Sequence, residues 1–224
     1  MQHQKSPLNE NLEDMFKTRF TCKRYDPTRP ITDDDLLTIL ESARLSPSSF
    51  GLEPWKFLVV GQNSSLTAPL QEVAWGMKRN APYTVIILAR KHMGADDPHV
   101  KHMMVDIQHV ADEDLQARRD MFAAFQKDDL CIADDPRLMF EWSCRQCYIA
   151  LANMITTCAL LRVDATPVEG LNYAKVNALL AERGLMDPEE FGVAVMVQFG
   201  YHDPSHMMHP KTRQDPADVF EFVH

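Results

Sequence analysis

Arg19-Phe20-Thr21-Cys22-Lys23-Arg24-Tyr25-Asp26, with Lys17 just before it, is a basic run in an acidic chain. A second basic cluster, Lys211-Thr212-Arg213, lies near the opposite end. Each alternates cations with a hydroxyl, the donor set a phosphate takes: charge from Arg and Lys, a short hydrogen bond from Thr. The whole chain carries 23 Lys and Arg against 32 Asp and Glu, a net charge of -9. Clusters in such a chain do not build a long-range field for nucleic acid or membrane; they suit one small anion. Either cluster alone fits a solvated surface run at least as well, as charge runs usually do.

Composition narrows the class. The 224 residues have room for one large domain, or one domain with an appendage. A hydrophobic content of 45% is that of a globular protein. No apolar run approaches a membrane span, and Met1-Gln2-His3-Gln4-Lys5-Ser6 lacks the apolar stretch of a secretory signal. The 5 cysteines, irregularly spaced, read as free thiols of a reducing compartment, so a cytoplasmic protein is expected. A pI near 5.4 argues against nucleic-acid binding.

Leu8 to Phe20 reads as a first helix, capped by Ser6 or Asn9. Thr32 is placed to cap a second, with Asp35 as the capping-box acid and Ile31 stapling onto Leu36. Its apolar stripe reads Leu36, Leu37, Leu40, Ala43 and Leu45, stopping before Pro47. Lys56 to Val60 predicts a strand, and Leu66 to Met77 a helix. Tyr83 to Ala89 is continuously apolar, as in a strand buried on both faces. Trp142 to Leu161 is apolar nearly all round and predicts a central buried helix. A short helix over Tyr173 to Glu182 and a strand over Val193 to Phe199 follow, then an extended tail after Gly200. Intermixed strands and helices place the chain in the α/β or α+β class. Residues 91–136, rich in acids and histidines, read as one or two amphipathic helices: a solvated flap or a lid over a site.

Several motifs carry less than they suggest. Cys144-Arg145-Gln146-Cys147 has redox or zinc spacing, but it sits inside a helical pattern with no second pair and reads as two small helical residues. His202, His206 and His209, or His99, His102 and His109, lack a carboxylate at diagnostic spacing, so no metal site is expected. With 8 glycines and no Gly-rich fingerprint, any phosphate here would be held by side chains. Two loops remain. Ser46-Pro47-Ser48-Ser49-Phe50-Gly51-Leu52-Glu53-Pro54-Trp55 joins a helix to a strand and is stiffened by its prolines. Thr166-Pro167-Val168-Glu169-Gly170-Leu171 reads as a loop after the central helix, with a tight turn whose amides can face a ligand.

In order and along nearly the whole chain, these segments resemble the flavin-dependent nitroreductase family. Arg19 to Asp26 resembles its Arg-x-Ser/Thr-x-Lys-x-Phe/Tyr-Asp signature, and Pro47-Ser48-Ser49 with Pro54-Trp55 its Pro-Ser-Ser…Gln-Pro-Trp loop. Pro167-Val168-Glu169-Gly170 resembles its Pro-x-Glu-Gly turn, and His209-Pro210-Lys211-Thr212-Arg213 its Leu-Pro-Lys-Ser-Arg tail. The likeness is strongest to oxygen-insensitive NAD(P)H nitroreductases and their flavin reductase and dihydropteridine reductase relatives. It implies an α+β nitroreductase-like fold with a central mixed sheet flanked by helices and an extended tail over 201–224. It also implies one domain over 1–224 and a homodimer with FMN at its interface.

The resemblance assigns roles. Arg19, Thr21, Lys211 and Arg213 would hold the FMN phosphate and ribityl chain, and Phe20 and Pro167 would be further cofactor contacts. Lys23 would approach the N1/O2 edge of the isoalloxazine, and Lys78 would lie near the pyrimidine. Glu169 and Gly170 would offer amides near N5; Pro47, Ser48 and Ser49 would come from the partner subunit. The implied reaction is ping-pong: NADH or NADPH reduces tightly bound FMN and leaves, then a nitroaromatic, quinone, flavin or pteridine takes its place, with no catalytic side chain. Departures from the pattern are Trp75 where close relatives place a flavin-contacting Asn, Phe20 for a polar residue, Glu53 for Gln, and Gly51 for Asn. Two other readings stay open: a same-fold flavoenzyme of different chemistry, such as dehalogenation or flavin fragmentation, and a non-catalytic FMN binder.

Overall fold

The computed structural model describes residues 6–207 and 209–223. The segment Met1 to Lys5, on which the absence of a signal sequence was read, lies outside the described residues. Four strands form one sheet in the order β1-β2-β4-β3: β1 Trp55–Gly61, β2 Tyr83–Arg90, β3 Asp164–Val168 and β4 Phe191–Gly200. All three pairings are antiparallel. The expected mixed character is confined, among the described residues, to one parallel bridge between Thr21 and Ala165 at the β3 edge.

The central strands are buried on both faces because helices cover both. Val85, Ile87 and Ala89 of β2 and Val197 and Phe199 of β4 face a core shared with α2 (Asp33–Arg44) and α6 (Pro136–Leu160). Ile86 and Leu88, with Val193 and Met196, face the opposite core, closed by α3 (Thr67–Val73) and α7 (Tyr173–Glu182). This is the period-2 alternation of a strand applied to two apolar layers. A register shift at Ile87/Leu88 skips Ala194, so that Ala194 and Val195 both serve the α6 side.

Local chemistry explains the helix starts. Ser6 caps α1 (Pro7–Thr18), accepting from the Asn9 amide at 3.3 Å. Thr32 accepts from the Asp35 amide at 3.1 Å to cap α2. In α2 the inward residues are Ile39 and Ala43, with Leu36 and Leu40 packed beside them. Leu37 and Leu45, expected in the stripe, point to solvent, since each lies off the face defined by 36, 39/40 and 43 at 100° per residue. The helix expected over 66–77 ends at Val73, where Ala74-Trp75-Gly76 turns away to meet the chain at Gly170 through Gly76 N–H to Gly170 C=O at 2.6 Å.

Residues 91–136 contain α4 (Pro98–His102) and α5 (Asp112–Ala124), each running on into a π-helical turn, Met103–Ile107 and Phe125–Asp129. Each turn is followed by a left-handed residue, His109 at φ 53° and Cys131 at φ 55°. The segment is not merely solvated. Met93, Val100, Met103, Met104, Phe122 and Ile132 form an apolar cluster with Leu52 and with Met139 and Trp142 of α6. Phe50 packs on Phe122 and Phe125 at 4.9 and 5.2 Å. Gln108 Nε2 donates to the Phe50 and Gly51 carbonyls.

His99 joins this cluster to the 46–55 loop by donating from Nε2 to the Leu52 carbonyl at 2.7 Å. Burial holds its imidazole below the ordinary 6.5, against the Leu52 bond, which acts the other way. The unfolded chain therefore binds this proton more tightly than the folded one. Its contribution to stability is full above pH 6.5 and falls as pH drops through the lowered folded value. In His99→Gln, melting temperatures between about pH 5 and 6.5 should depend less on pH than in the wild type.

Among its described residues the tail after Gly200 holds a turn at Pro204-Ser205-His206 and one short helix, α8 (Pro216–Val219), and is otherwise without helix or strand. Met208 and His224 of the tail expected to be extended lie outside the described residues. No helix among the described residues is long and apolar enough to cross a membrane.

Candidate functional site

The two basic clusters, almost two hundred residues apart in sequence, meet in space. Phe20, Thr21, Lys23, His206, Met207, His209, Pro210, Lys211, Thr212 and Arg213 line one cavity of about 470 Å³, and no carboxylate is among them. The meeting follows from the edge of the sheet. After α1 the chain lies along β3, with Thr21 bridging Ala165 and Cys22 N–H donating to the Ala165 carbonyl at 3.4 Å. Extended backbone alternates its side chains, so Cys22 is buried while Thr21 and Lys23 face the cavity.

A buried polar bracket fixes this segment. Thr166 Oγ1 donates to the Cys22 carbonyl at 2.6 Å. The Tyr25 hydroxyl lies 2.9 Å from Thr166 Oγ1 and 3.0 Å from the Gln198 carbonyl. Tyr25 is fully buried beneath Gly200, where an added Cβ would stand 2.6 Å from the Tyr25 ring. Phe20 packs edge-on against His202 with centroids 5.3 Å apart. His202 donates from its backbone N–H and from Nδ1 to Asp164 Oδ2 at 2.7 and 2.8 Å.

The cavity is electrostatically loaded. Arg19, Thr21 and Lys23 have no side-chain hydrogen bond or ion pair among the described residues, and Lys211 Nζ donates only to the Phe16 carbonyl at the end of α1. Burial, then the neighbouring Arg19 and Arg213, hold Lys211 below its ordinary value. Like charges gathered without counter-charge mark a place that receives an anion. Nothing at the sequence level brought His206 and Met207 to this cavity; they arrive with the tail.

At the other end of β3 sits a second, apolar cavity of about 430 Å³, lined by Tyr148, Leu151, Ala152, Ile155, Pro167, Glu169 and Val195. Pro167 belongs to a strand, not to the expected loop. Proline is admissible because β3 is an edge strand of the sheet: Pro167 pairs with Val197 of β4, and the bridge on the opposite side is at Ala165, two residues away. Beyond Val168 the chain turns. The Gly170 carbonyl accepts from Gly76, and the Asn172 N–H donates to Val73 at 2.8 Å. The Glu169 and Gly170 N–H groups donate to no acceptor among the described residues. Gly170 is required by close approach: a Cβ there would stand 2.9 Å from the Trp75 ring and 3.0 Å from Gly76 Cα. Trp75, expected to replace an Asn, lays its indole over this turn and stays 82% exposed.

Other expected residues lie elsewhere. Pro47, Ser48 and Ser49 line neither cavity. Ser48 Oγ accepts from the Glu53 N–H at 2.9 Å, and the Ser49 N–H donates to Gln146 Oε1 at 3.0 Å. Lys78 also lines neither cavity; its backbone N–H and C=O are both held by the buried Gln198 side chain, at 2.6 and 3.0 Å. Cys144 and Cys147 are buried on α6. Burial pushes the Cys144 thiol up to about 12 and Cys147 higher still, which leaves both unreactive. Among the described residues no three His, Cys, Asp or Glu side chains gather as a metal site.

The family model described as "Nitroreductase family" matches residues 16–201. A protein of Staphylococcus aureus (strain USA300) named "Putative NAD(P)H nitroreductase" is 42% identical over 221 residues, covering 97% of this chain and 98% of the relative. Among solved structures, a Bacillus subtilis nitroreductase-like protein, ydfN, superposes with TM-score 0.77 at 16% identity over 96% of this chain and 100% of its own. A protein of Exiguobacterium sibiricum 255-15, solved in complex with FMN, gives TM-score 0.71 at 14% identity over 95% and 97%. The last two establish a shared fold. The family match across the sheet and both flanking layers, with a relative aligned nearly end to end, shows that the chain belongs to the nitroreductase family.

Proposed function

We propose that the chain is an FMN-dependent oxidoreductase that moves hydride from NADH or NADPH to electron-poor acceptors such as nitroaromatics and quinones, or flavins and pteridines. One observation carries this reading: β3 has an acid-free cationic cavity at one end and, at the other, an apolar cavity beside the Glu169–Gly170 turn, whose two N–H groups are unengaged among the described residues. Ala165 and Glu169 are four residues apart on extended chain, roughly 13 Å. A ligand with a phosphate at one end and a flat apolar ring at the other matches both. The donor set and the Cβ-free approach at Gly170 therefore fit FMN, and the FMN complex of a protein sharing the fold adds support.

When bound, FMN would supply the redox chemistry, the carriage of a hydride between nicotinamide and acceptor in ping-pong order. The chain's own residues bind and tune. Arg19, Thr21, Lys211 and Arg213 neutralise and orient the phosphate, and Phe20 closes the wall of that cavity. Lys23 sets a fixed positive charge where negative charge develops on reduction. The Glu169 and Gly170 amides would donate to the ring edge, and Pro167, which lines the apolar cavity, would be among the cofactor contacts. Lys78 adds a cation on the Gln198-braced segment. Water supplies the protons.

The same reading makes the protein a cytoplasmic homodimer with one domain over 1–224, with Pro47, Ser48 and Ser49 reaching the partner's cofactor. Leu8, Leu12 and Phe16 of α1, spaced i, i+4, i+8, are exposed at 65%, 38% and 51% among the described residues, an apolar stripe of the kind a partner subunit covers. The excursion 91–136 braces the Pro-Ser-Ser loop that would be presented to the partner.

The test is the visible spectrum of the purified protein before and after anaerobic NADH or NADPH. A flavin band that bleaches, then recovers on adding a quinone or nitroaromatic, is expected. A flavin band that neither nucleotide bleaches would leave only a binder or a specialised flavoenzyme. Protein that holds no flavin and binds no added FMN would overturn the site.

A further inference from the structure

Two sides of the Glu169–Gly170 turn are fastened differently. The Gly170 side is stitched by backbone, through the Gly76 N–H to Gly170 and the Asn172 N–H to Val73. At Glu169 the backbone carbonyl accepts from the Leu171 N–H at 2.8 Å, and the side chain is held by one contact: the Tyr148 hydroxyl of α6 donates to Glu169 Oε1. Glu169 has no cation partner among the described residues, and Tyr148 and Glu169 share the rim of the apolar cavity. Burial, reinforced by the Glu169 carboxylate, pushes the Tyr148 phenol well above its ordinary range, so the hydroxyl remains a donor throughout the physiological range.

The geometry has an electrostatic consequence. A free carboxylate next to two unengaged N–H groups can turn onto them, as Asp and Glu do at helix starts and tight turns. It would then occupy the donors and put negative charge where the ring becomes negative on reduction. Tyr148 prevents this by holding the carboxylate toward α6.

We propose that Tyr148 is a positioning residue: it draws the Glu169 carboxylate away from the Glu169 and Gly170 amides and so keeps both donors aimed at the cofactor edge. The inference rests on the reading that FMN lies at this turn.

The experiment is a double-mutant cycle on the FMN-loaded protein, with Tyr148→Phe, Glu169→Ala and both together, read as the flavin midpoint potential by anaerobic equilibration with a reference dye. Tyr148→Phe should disfavour reduction by about tenfold in the equilibrium, roughly 30 mV more negative for a two-electron couple. Glu169→Ala should produce no negative shift, and adding Tyr148→Phe to it should change nothing further, because Tyr148 acts through Glu169. A structural role alone would lower the melting temperature without moving the potential. An unchanged potential in Tyr148→Phe, or the same negative shift with Glu169 already removed, overturns the inference while the flavin spectrum still supports the site. A wild-type protein that takes up no FMN overturns the site reading itself, and this inference with it.

Discussion

Removing Lys211 and Arg213 together, as Lys211→Met with Arg213→Met, is expected to weaken FMN binding by about a hundredfold to ten-thousandfold. Each residue lines the acid-free cavity, and each would give a charged hydrogen bond to a phosphate, worth about 1.5–3 kcal/mol. Two such bonds sum to roughly 3–6 kcal/mol, at 1.4 kcal/mol per tenfold. The apoprotein should not be destabilised, because Arg19, Lys211 and Arg213 repel one another before any anion arrives. Fluorescence titration of FMN into apoprotein measures the first effect, and a thermal melt of the same samples the second. Lys17→Met is the control. Lys17 belongs to the same basic stretch but pairs with Glu13 and Asp14 on the α1 surface, so its loss should leave FMN affinity within about twofold. Equal loss in all variants would mean that diffuse charge, rather than this cavity, attracts the ligand.

Tyr25→Ala should lower the melting temperature by about 6–20 °C. Deleting a large buried aromatic costs about 3–5 kcal/mol, and a protein of this size loses roughly 2–4 °C per kcal/mol. Tyr25 is fully enclosed, its ring under Gly200 and its hydroxyl between Thr166 and Gln198. Tyr25→Phe keeps the ring and should cost only about 1–3 kcal/mol. The two variants also separate packing from function. The bracket that orders Thr21 and Lys23 runs through Thr166 to Cys22, so Tyr25→Ala should weaken FMN binding as well, whereas Tyr25→Phe should retain most of it. A melt of Tyr25→Ala within 2 °C or so of the wild type would show that the neighbouring chain collapses into the vacated space.

What the sequence made legible was local or strongly patterned. The apolar run Tyr83 to Ala89, the long helix around Trp142 to Leu161 and the Thr32 cap all appear near their expected positions, because each depends on periodicity or on a contact three residues away. β3 escaped because a proline and a Glu-Gly turn hide a five-residue edge strand, whose place at the sheet edge makes the proline permissible. Leu37 and Leu45 are apolar residues that α2 leaves in water; apolarity alone places them in the stripe, and only the 100° helical period separates them from Ile39. The donor types for an anion could be read from Arg19, Thr21, Lys211 and Arg213. That Thr21, Lys211 and Arg213 share a cavity with Arg19 beside Lys211, that Gln198 grips the Lys78 backbone and that Tyr148 meets Glu169 depends on contacts 195, 120 and 21 residues apart, which propensity does not encode.

The junction of residue 19–23 backbone with the 209–213 tail also sets an order of events during biosynthesis. Phe16 and Lys211 are 195 positions apart, and at about 5–20 residues per second a ribosome needs roughly 10–40 s to go from one to the other. For that interval the first half of the cationic cavity exists without the second, and strand β2 waits for its partner β4. The nascent chain therefore has no finished anion site to offer, and on the FMN reading proposed above a flavin would load only after the last strand is in place. The exposed, non-local sheet edge is the stage at which the chain depends most on being shielded from its neighbours.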